Sequence, residues 1–95
     1  MILKLSRFGS VLCTRAVGRS VRAKAERMLD AGEEVRFDLD GVLAANRPFC
    51  DEAFGQLAEA LGAELFDAVV SFENADRTTM QTIRTVVKKR GKRAR

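Results

Sequence analysis

The sequence predicts one α/β domain, in which a mostly parallel, mixed sheet of four strands is covered by about three helices. Three observations carry this reading. Short β-branched and aromatic runs alternate with amphipathic segments in the order β-β-α-β-α-β-α, and such alternation favours parallel strands joined by right-handed crossovers. The chain has 95 residues, enough for one core and not for two. Hydrophobic residues make up 46% and charged residues 32%, with a single proline, which is the balance of a folded domain rather than of a disordered chain.

Each element has a local justification. Ile2, Leu3 and Leu5 form a first apolar run and Val11 to Cys13 a second, with a turn from Ser6 to Ser10 around Gly9. Thr14 is a good helix N-cap. After it, Val17, Val21, Ala25, Met28 and Leu29 share one side of a helical wheel, and Arg15, Arg19 and Arg22 lie opposite as a solvated stripe. Gly32 stops this helix. Val35 to Leu39 is the clearest strand, closed by the turn signal Asp40-Gly41. A loop from Leu43 to Arg47 leads to a second helix, capped by Asn46 or Arg47, with Pro48 in its first turn. Cys50, Phe54, Leu57, Ala58 and Leu61 are its buried stripe, and Gly62 ends it. Phe66 to Phe72 reads as the last strand and Asn74-Ala75-Asp76 as a turn. Asp76 or Thr78 caps the final helix, with Met80, Ile83, Val86 and Val87 inward. Only Ala94 is apolar after Val87, so residues 1–87 are expected to form the domain and 88–95 a basic tail that folding does not need.

Charge is unevenly placed. The formal net charge is +4, yet Lys88, Lys89, Arg90, Lys92, Arg93 and Arg95 crowd the tail and leave a slight acidic excess before it. Residues 1–24 carry Lys4, Arg7, Arg15, Arg19, Arg22 and Lys24 and no acid. The tail reads either as a solvated helix end or as a nucleic-acid contact whose affinity would be salt-dependent and blind to sequence. There is no Trp or Tyr to stack on bases. Histidine is absent, which removes the commonest general base and metal ligand. Cys13 and Cys50 lack zinc-site spacing and are too few for a disulfide scaffold. They are expected to be buried small hydrophobes, and no cofactor is implied. No apolar run approaches the roughly 20 residues that span a membrane, and no targeting segment is read. With two unpaired cysteines, the cytoplasm is the expected compartment.

One motif suggests chemistry. Residues 37–43, Phe-Asp-Leu-Asp-Gly-Val-Leu, resemble the first motif of haloacid-dehalogenase-type phosphatases. That resemblance implies Asp38 as nucleophile and Asp40 as acid/base. The family also supplies a later acidic pair for Mg²⁺, and this chain has no Asp or Glu after Asp76. The plainer reading puts Asp38 on the polar face of a strand and Asp40 in a turn with Gly41.

A second resemblance runs from about Phe8 to Ile83. Its pieces are Phe8-Gly9, Leu12-Cys13-Thr14-Arg15, Gly18, Phe37-Asp38-Leu39-Asp40-Gly41-Val42, Phe49-Cys50-Asp51-Glu52 and Phe72-Glu73-Asn74-Ala75. In order and spacing these resemble the bacterial STAS-like domains of unknown function. The resemblance implies a fold similar to anti-sigma-factor antagonists, a non-catalytic regulatory role, and a protein partner, a histidine-kinase-like ATPase. The switch in those antagonists is a serine at the helix start, and here Pro48 stands at the matching position. Asn46, Arg47, Asp51 and Glu52 are the expected rim of the partner site. Asp51 and Glu52 also suit the first helical turn, where acids offset the helix dipole. Arg15 is expected to orient a ligand or to pair with Asp38 or Asp40, and Phe49 and Phe54 to be core.

Overall fold

The computed structural model describes residues 1–93. Three strands form the main sheet: β1 (Ile2–Lys4), β3 (Val35–Asp38) and β5 (Val70–Glu73), in the order β1-β3-β5 and parallel throughout. The register aligns Leu3, Phe37 and Phe72 across the sheet, and all three face the core. Ile2, Arg36 and Ser71 are aligned on the other face, which is exposed to solvent. The period-2 alternation of a half-buried strand is thus obeyed, although fully parallel sheets are usually covered on both faces.

The expected four-stranded mixed sheet is corrected. β2 (Val11–Leu12) leaves the main sheet and pairs in parallel with β4 (Ala44–Ala45), a strand inside the segment expected to be loop. The 3₁₀ turn Leu5–Phe8 separates β1 from β2, so the two apolar runs at the start serve different sheets. Each strand of the second ladder is two residues long, too short to show a period.

The helical layer also departs from the expected three helices. α1 (Arg15–Asp30) is capped by Thr14, whose hydroxyl accepts from the Val17 N–H. α2 (Arg47–Cys50) is capped by Asn46, which accepts from the Phe49 N–H, and runs on through a π-helical turn, Asp51–Gly55, into α3 (Gln56–Leu61). Gly62, at φ 87°, breaks the chain out of α3. α4 (Ala63–Val69) follows, so the first part of the expected Phe66–Phe72 strand is helix. Phe66 is buried from that helix, and the extended conformation begins only at Val70. α5 (Arg77–Gly91) is capped by Asp76, which accepts from the Thr79 N–H.

The core is aromatic at its centre. Phe54, from the π-turn, lies 4.9 Å from Phe37 and 5.0 Å from Phe72, edge-on to both. Phe49 stands edge-on to Phe54 at 5.8 Å. Such edge-to-face pairs add about 0.5–1.5 kcal/mol each beyond burial. Val21, Ala25, Leu57, Ala58, Ile83 and Val86 close around them.

α1 meets the π-turn at Gly18. A Cβ there would stand 2.7 Å from the Glu52 Cβ and 2.9 Å from the Phe49 carbonyl oxygen. Gly18→Ala gains helix propensity of about 1 kcal/mol, but the backbone must separate to admit the methyl group. A net loss of about 1–3 kcal/mol is expected, read by urea denaturation, as for other overpacked interiors.

Candidate functional site

The β2–β4 ladder sets two helix starts side by side. The Asn46 N–H donates to the Leu12 carbonyl at 3.1 Å, and the Asn46 side-chain amide donates to the Cys13 carbonyl at 3.0 Å. Arg15 then begins α1 next to Arg47, which begins α2. The C-terminal end of α5 comes up against them, because its inward stripe Ile83, Val86, Arg90 follows the i, i+3, i+7 spacing of one helix face.

An ion-pair network joins these three elements. Arg90 grips Asp51 with two hydrogen bonds, Nε to Oδ1 at 2.9 Å and Nη2 to Oδ2 at 2.7 Å. Arg15 Nη1 donates to Asp51 Oδ2 at 2.9 Å and to Glu52 Oε1 at 3.1 Å. Arg22 Nη1 donates to the Glu52 carbonyl at 2.7 Å and to its Oε2 at 3.1 Å. Arg90 also reaches Glu59 at 3.4 Å. The carboxylate side chains are little exposed, 14% for Asp51 and 12% for Glu52, so these are charge-assisted bonds partly shielded from water. Arg90, and next Arg15, hold the Asp51 carboxyl well below its ordinary 3.8, at about 2, against the opposing effect of burial. Burial pushes Glu52 up, but the guanidinium groups of Arg22 and Arg15 outweigh it and leave it below its usual range.

Beside the network is a cavity of about 300 Å³. Its lining carries five cationic side chains, Arg15, Arg47, Lys89, Arg90 and Arg93, and one carboxylate, that of Asp51. Pro48 and Val86 are its apolar wall. Among the described residues Arg47, Lys89 and Arg93 make no ion pair. Arg90 and Arg93 extend along an adjoining hollow with Gln56, Glu59 and Ala60.

Of the residues expected at a partner rim, Asn46 is a helix cap and Arg47 an exposed cation at the cavity, while Asp51 and Glu52 are held in internal ion pairs. Arg15 pairs with Asp51 and Glu52, not with Asp38 or Asp40. Arg22 is likewise tied in, so the expected solvated arginine stripe keeps only Arg19 fully outside the network. The boundary expected at Val87 falls inside α5, with Lys88, Lys89 and Arg90 in its last turns, followed by Lys92 and Arg93; Arg95 lies outside the described residues. Sequence reading missed the Arg90–Asp51 pair because a run of basic residues hides one inward member. The 83, 86, 90 spacing was the available signal. For Arg15 and Arg22, the signal was that both flank Gly18 on one helix face.

Of the phosphatase-like pair, Asp38 is hydrogen-bonded within the fold. Asp38 Oδ1 accepts from the Asn74 side-chain amide at 2.8 Å and from the Asp40 N–H at 3.0 Å, and these two bonds, Asn74 first, lower its pKa. Among the described residues no group of three His, Cys, Asp or Glu side chains is gathered as a metal site. Cys50 is buried, and burial pushes its thiol up to about 12, whereas Cys13 is exposed rather than buried as expected. No helix among the described residues is long and apolar enough to cross a membrane.

A parallel sheet with its helices packed on the Phe37 face, and motifs in the order described, define a small STAS-like α/β domain. The chain belongs to the family of STAS-like domains of unknown function, whose model matches residues 17–80. No curated protein and no solved structure matches it. Arg47, Pro48 and Asp51 lie within the matched span, whereas Arg15 and the basic end of α5 lie outside it.

In the unfolded chain Asp51 regains its ordinary pKa. Its stabilising contribution is therefore complete above pH 3.8 and is lost as the pH falls through about 2. Asp51→Asn is expected to cost about 1–3 kcal/mol at neutral pH, and denaturant titrations should show it losing less on acidification than the parent chain. Ending the chain at Val87 removes Arg90 and should lower Tm clearly. A chain ending at Gly91 keeps the pair and should melt close to the parent. Equal melting of the two truncations would show that the Arg90–Asp51 pair contributes little.

Proposed function

We propose that the domain is a non-catalytic regulatory module that binds a protein partner through the surface at the start of α2. Family membership supports a domain of this kind, and the resemblance to anti-sigma-factor antagonists suggests a histidine-kinase-like ATPase as the partner. The observation that carries the reading is the division of charges at this surface. Asp51, Glu52, Arg15, Arg22 and Arg90 satisfy one another, while Arg47, Lys89 and Arg93 have no ion-pair partner among the described residues and line a cavity. Cations left over in this way can steer and orient an acidic surface on a partner.

In this reading Asn46 and Arg47 form the rim. Asp51 and Glu52 act beneath it, by holding the arginines that shape the floor. A switch by phosphorylation at the helix start has no acceptor in Pro48, so regulation comes from the partner's side or from elsewhere on the domain. The chemistry of the chain is consistent with binding alone: there is no histidine, the buried thiol is protonated at neutral pH, and Asp38 is committed to Asn74 and the Asp40 backbone.

The test is an affinity purification from the native host, followed by binding measurements on the identified partner. Arg47→Glu should weaken binding strongly while folding stability stays within about 0.5 kcal/mol, as for other exposed substitutions. Arg19→Glu, exposed on α1 outside the cavity, is the control. Loss of binding in the control with full binding in Arg47→Glu would put the interface elsewhere.

A further inference from the structure

We infer that the cavity between the starts of α1 and α2 and the end of α5 is a receptor for a terminal phosphate group, held chiefly by Arg47, Lys89 and Arg93. The inference rests on the reading of this face as the partner surface and names the group that the surface takes in.

The charge argument begins with Asp51, the one carboxylate among the described residues of the lining. Both its oxygens already accept from Arg90, and Oδ2 accepts from Arg15 as well, so its charge is more than matched by two guanidinium groups. Arg90 also has Glu59, and Arg15 has Glu52. Among the described residues the internal pairs thus leave the positive charge of Arg47, Lys89 and Arg93 uncompensated; Arg47 begins α2, Lys89 lies in the last turn of α5 and Arg93 just beyond it. Like charges gathered around one hollow repel, and an anion between them relieves that repulsion.

The shape argument selects the anion. The hollow is a pocket of about 300 Å³, and the adjoining hollow that shares Arg90 and Arg93 carries the carboxylate of Glu59, so the cationic lining does not continue as a track for a nucleic-acid backbone. Among the described residues no aromatic side chain lines it, so these offer no stacking surface for a base. Two arginines and a lysine around a compact space match a tetrahedral dianion: each guanidinium presents a planar fork to two oxygens, and the ammonium adds a point charge. A single carboxylate would leave two of the three positive charges unmatched, whereas a phosphate dianion leaves one. A phosphorylated side chain on a partner, through an ester oxygen, and the terminal phosphate of a nucleotide, through an anhydride oxygen, both present such a tetrahedral end with three free oxygens.

The experiment uses the full chain, isotopically labelled for amide NMR. It is titrated separately with inorganic phosphate, with a short phosphoserine peptide and its unphosphorylated form, and with ADP. Potassium chloride at equal conductivity is the reference. Saturable shifts are expected at the amides of Arg47, Lys89 and Arg93, absent in chloride, with affinity reduced at least about tenfold in the double variant Arg47→Gln, Arg93→Gln. Arg19→Gln should leave the affinity unchanged. Both side chains of the double variant lack internal partners, so its melting should match the parent. Tighter binding of the phosphopeptide than of inorganic phosphate, with the unphosphorylated peptide silent, identifies a phosphorylated partner as the source. Tighter binding of ADP identifies a nucleotide. The inference is overturned if no probe gives a saturable shift, or if the double variant binds phosphate as the parent does. A native partner whose binding still depends on Arg47 after that result would leave the protein-binding reading standing and remove only the phosphate.

Discussion

The Asp51 carboxylate, held by Arg90 on one side and Arg15 on the other, is the interaction on which the rest of the arrangement turns. It belongs to the π-turn that also sends Phe54 into the centre of the aromatic core. One widened turn therefore serves two opposite requirements. Its apolar member joins the sheet to the helices, and its acidic members tie three helices together at the surface. The π geometry is visible in the Gln56 N–H, which bonds back to the Asp51 carbonyl five residues earlier. Extra width in one turn is how a helix re-aims side chains without ending, and such turns gather at functional sites. Around this turn the neighbours have no bulk to spare. Gly18 brings α1 against Glu52, and at Gly55 a Cβ would stand 2.9 Å from Asp51 Oδ1 and 3.0 Å from Arg90 Cγ.

The sheet supplies the platform, and the small second ladder supplies the alignment. Because β2 and β4 pair in parallel away from the main sheet, the chain delivers Thr14 and Asn46 to the same end of the molecule. Each then caps a helix, and Arg15 and Arg47 follow as the first residues of those helices. A four-stranded sheet containing β2 would have needed no partner at Ala44–Ala45. The cavity is thus a product of topology as much as of charge.

What could be read from the sequence was what depends on near neighbours. Thr14, Asn46 and Asp76 act on N–H groups three residues ahead, and each was legible as a cap. The period-2 pattern from Val35 to Phe37 and the family motifs were legible for the same reason. Phe66 to Val69 was not. Phe and Val suit a strand as well as a helix, and the deciding influence is the turn at Gly62 that sets α4 going before the chain extends. The β2–β4 pairing is non-local and only two residues long, so no pattern announces it. At the site, the position of Arg47, Asp51 and Glu52 at one helix start was legible, but their division of labour depends on Arg90, which lies far along the chain and inside a run of like charges. Composition marked that run as a solvated tail, whereas packing of α5 turns one member inward.

The separation between paired and unpaired cations gives the domain two different sensitivities to ionic strength. Counter-ions screen exposed charges within about 8–10 Å in ordinary buffers, and screen partly buried hydrogen-bonded pairs much less. Arg90, 20% exposed and bonded twice to Asp51, belongs to the second group. Arg47, Lys89 and Arg93 belong to the first. Rising salt therefore screens the outward cations of this face well before it loosens the ion pairs that hold together the helices beneath them.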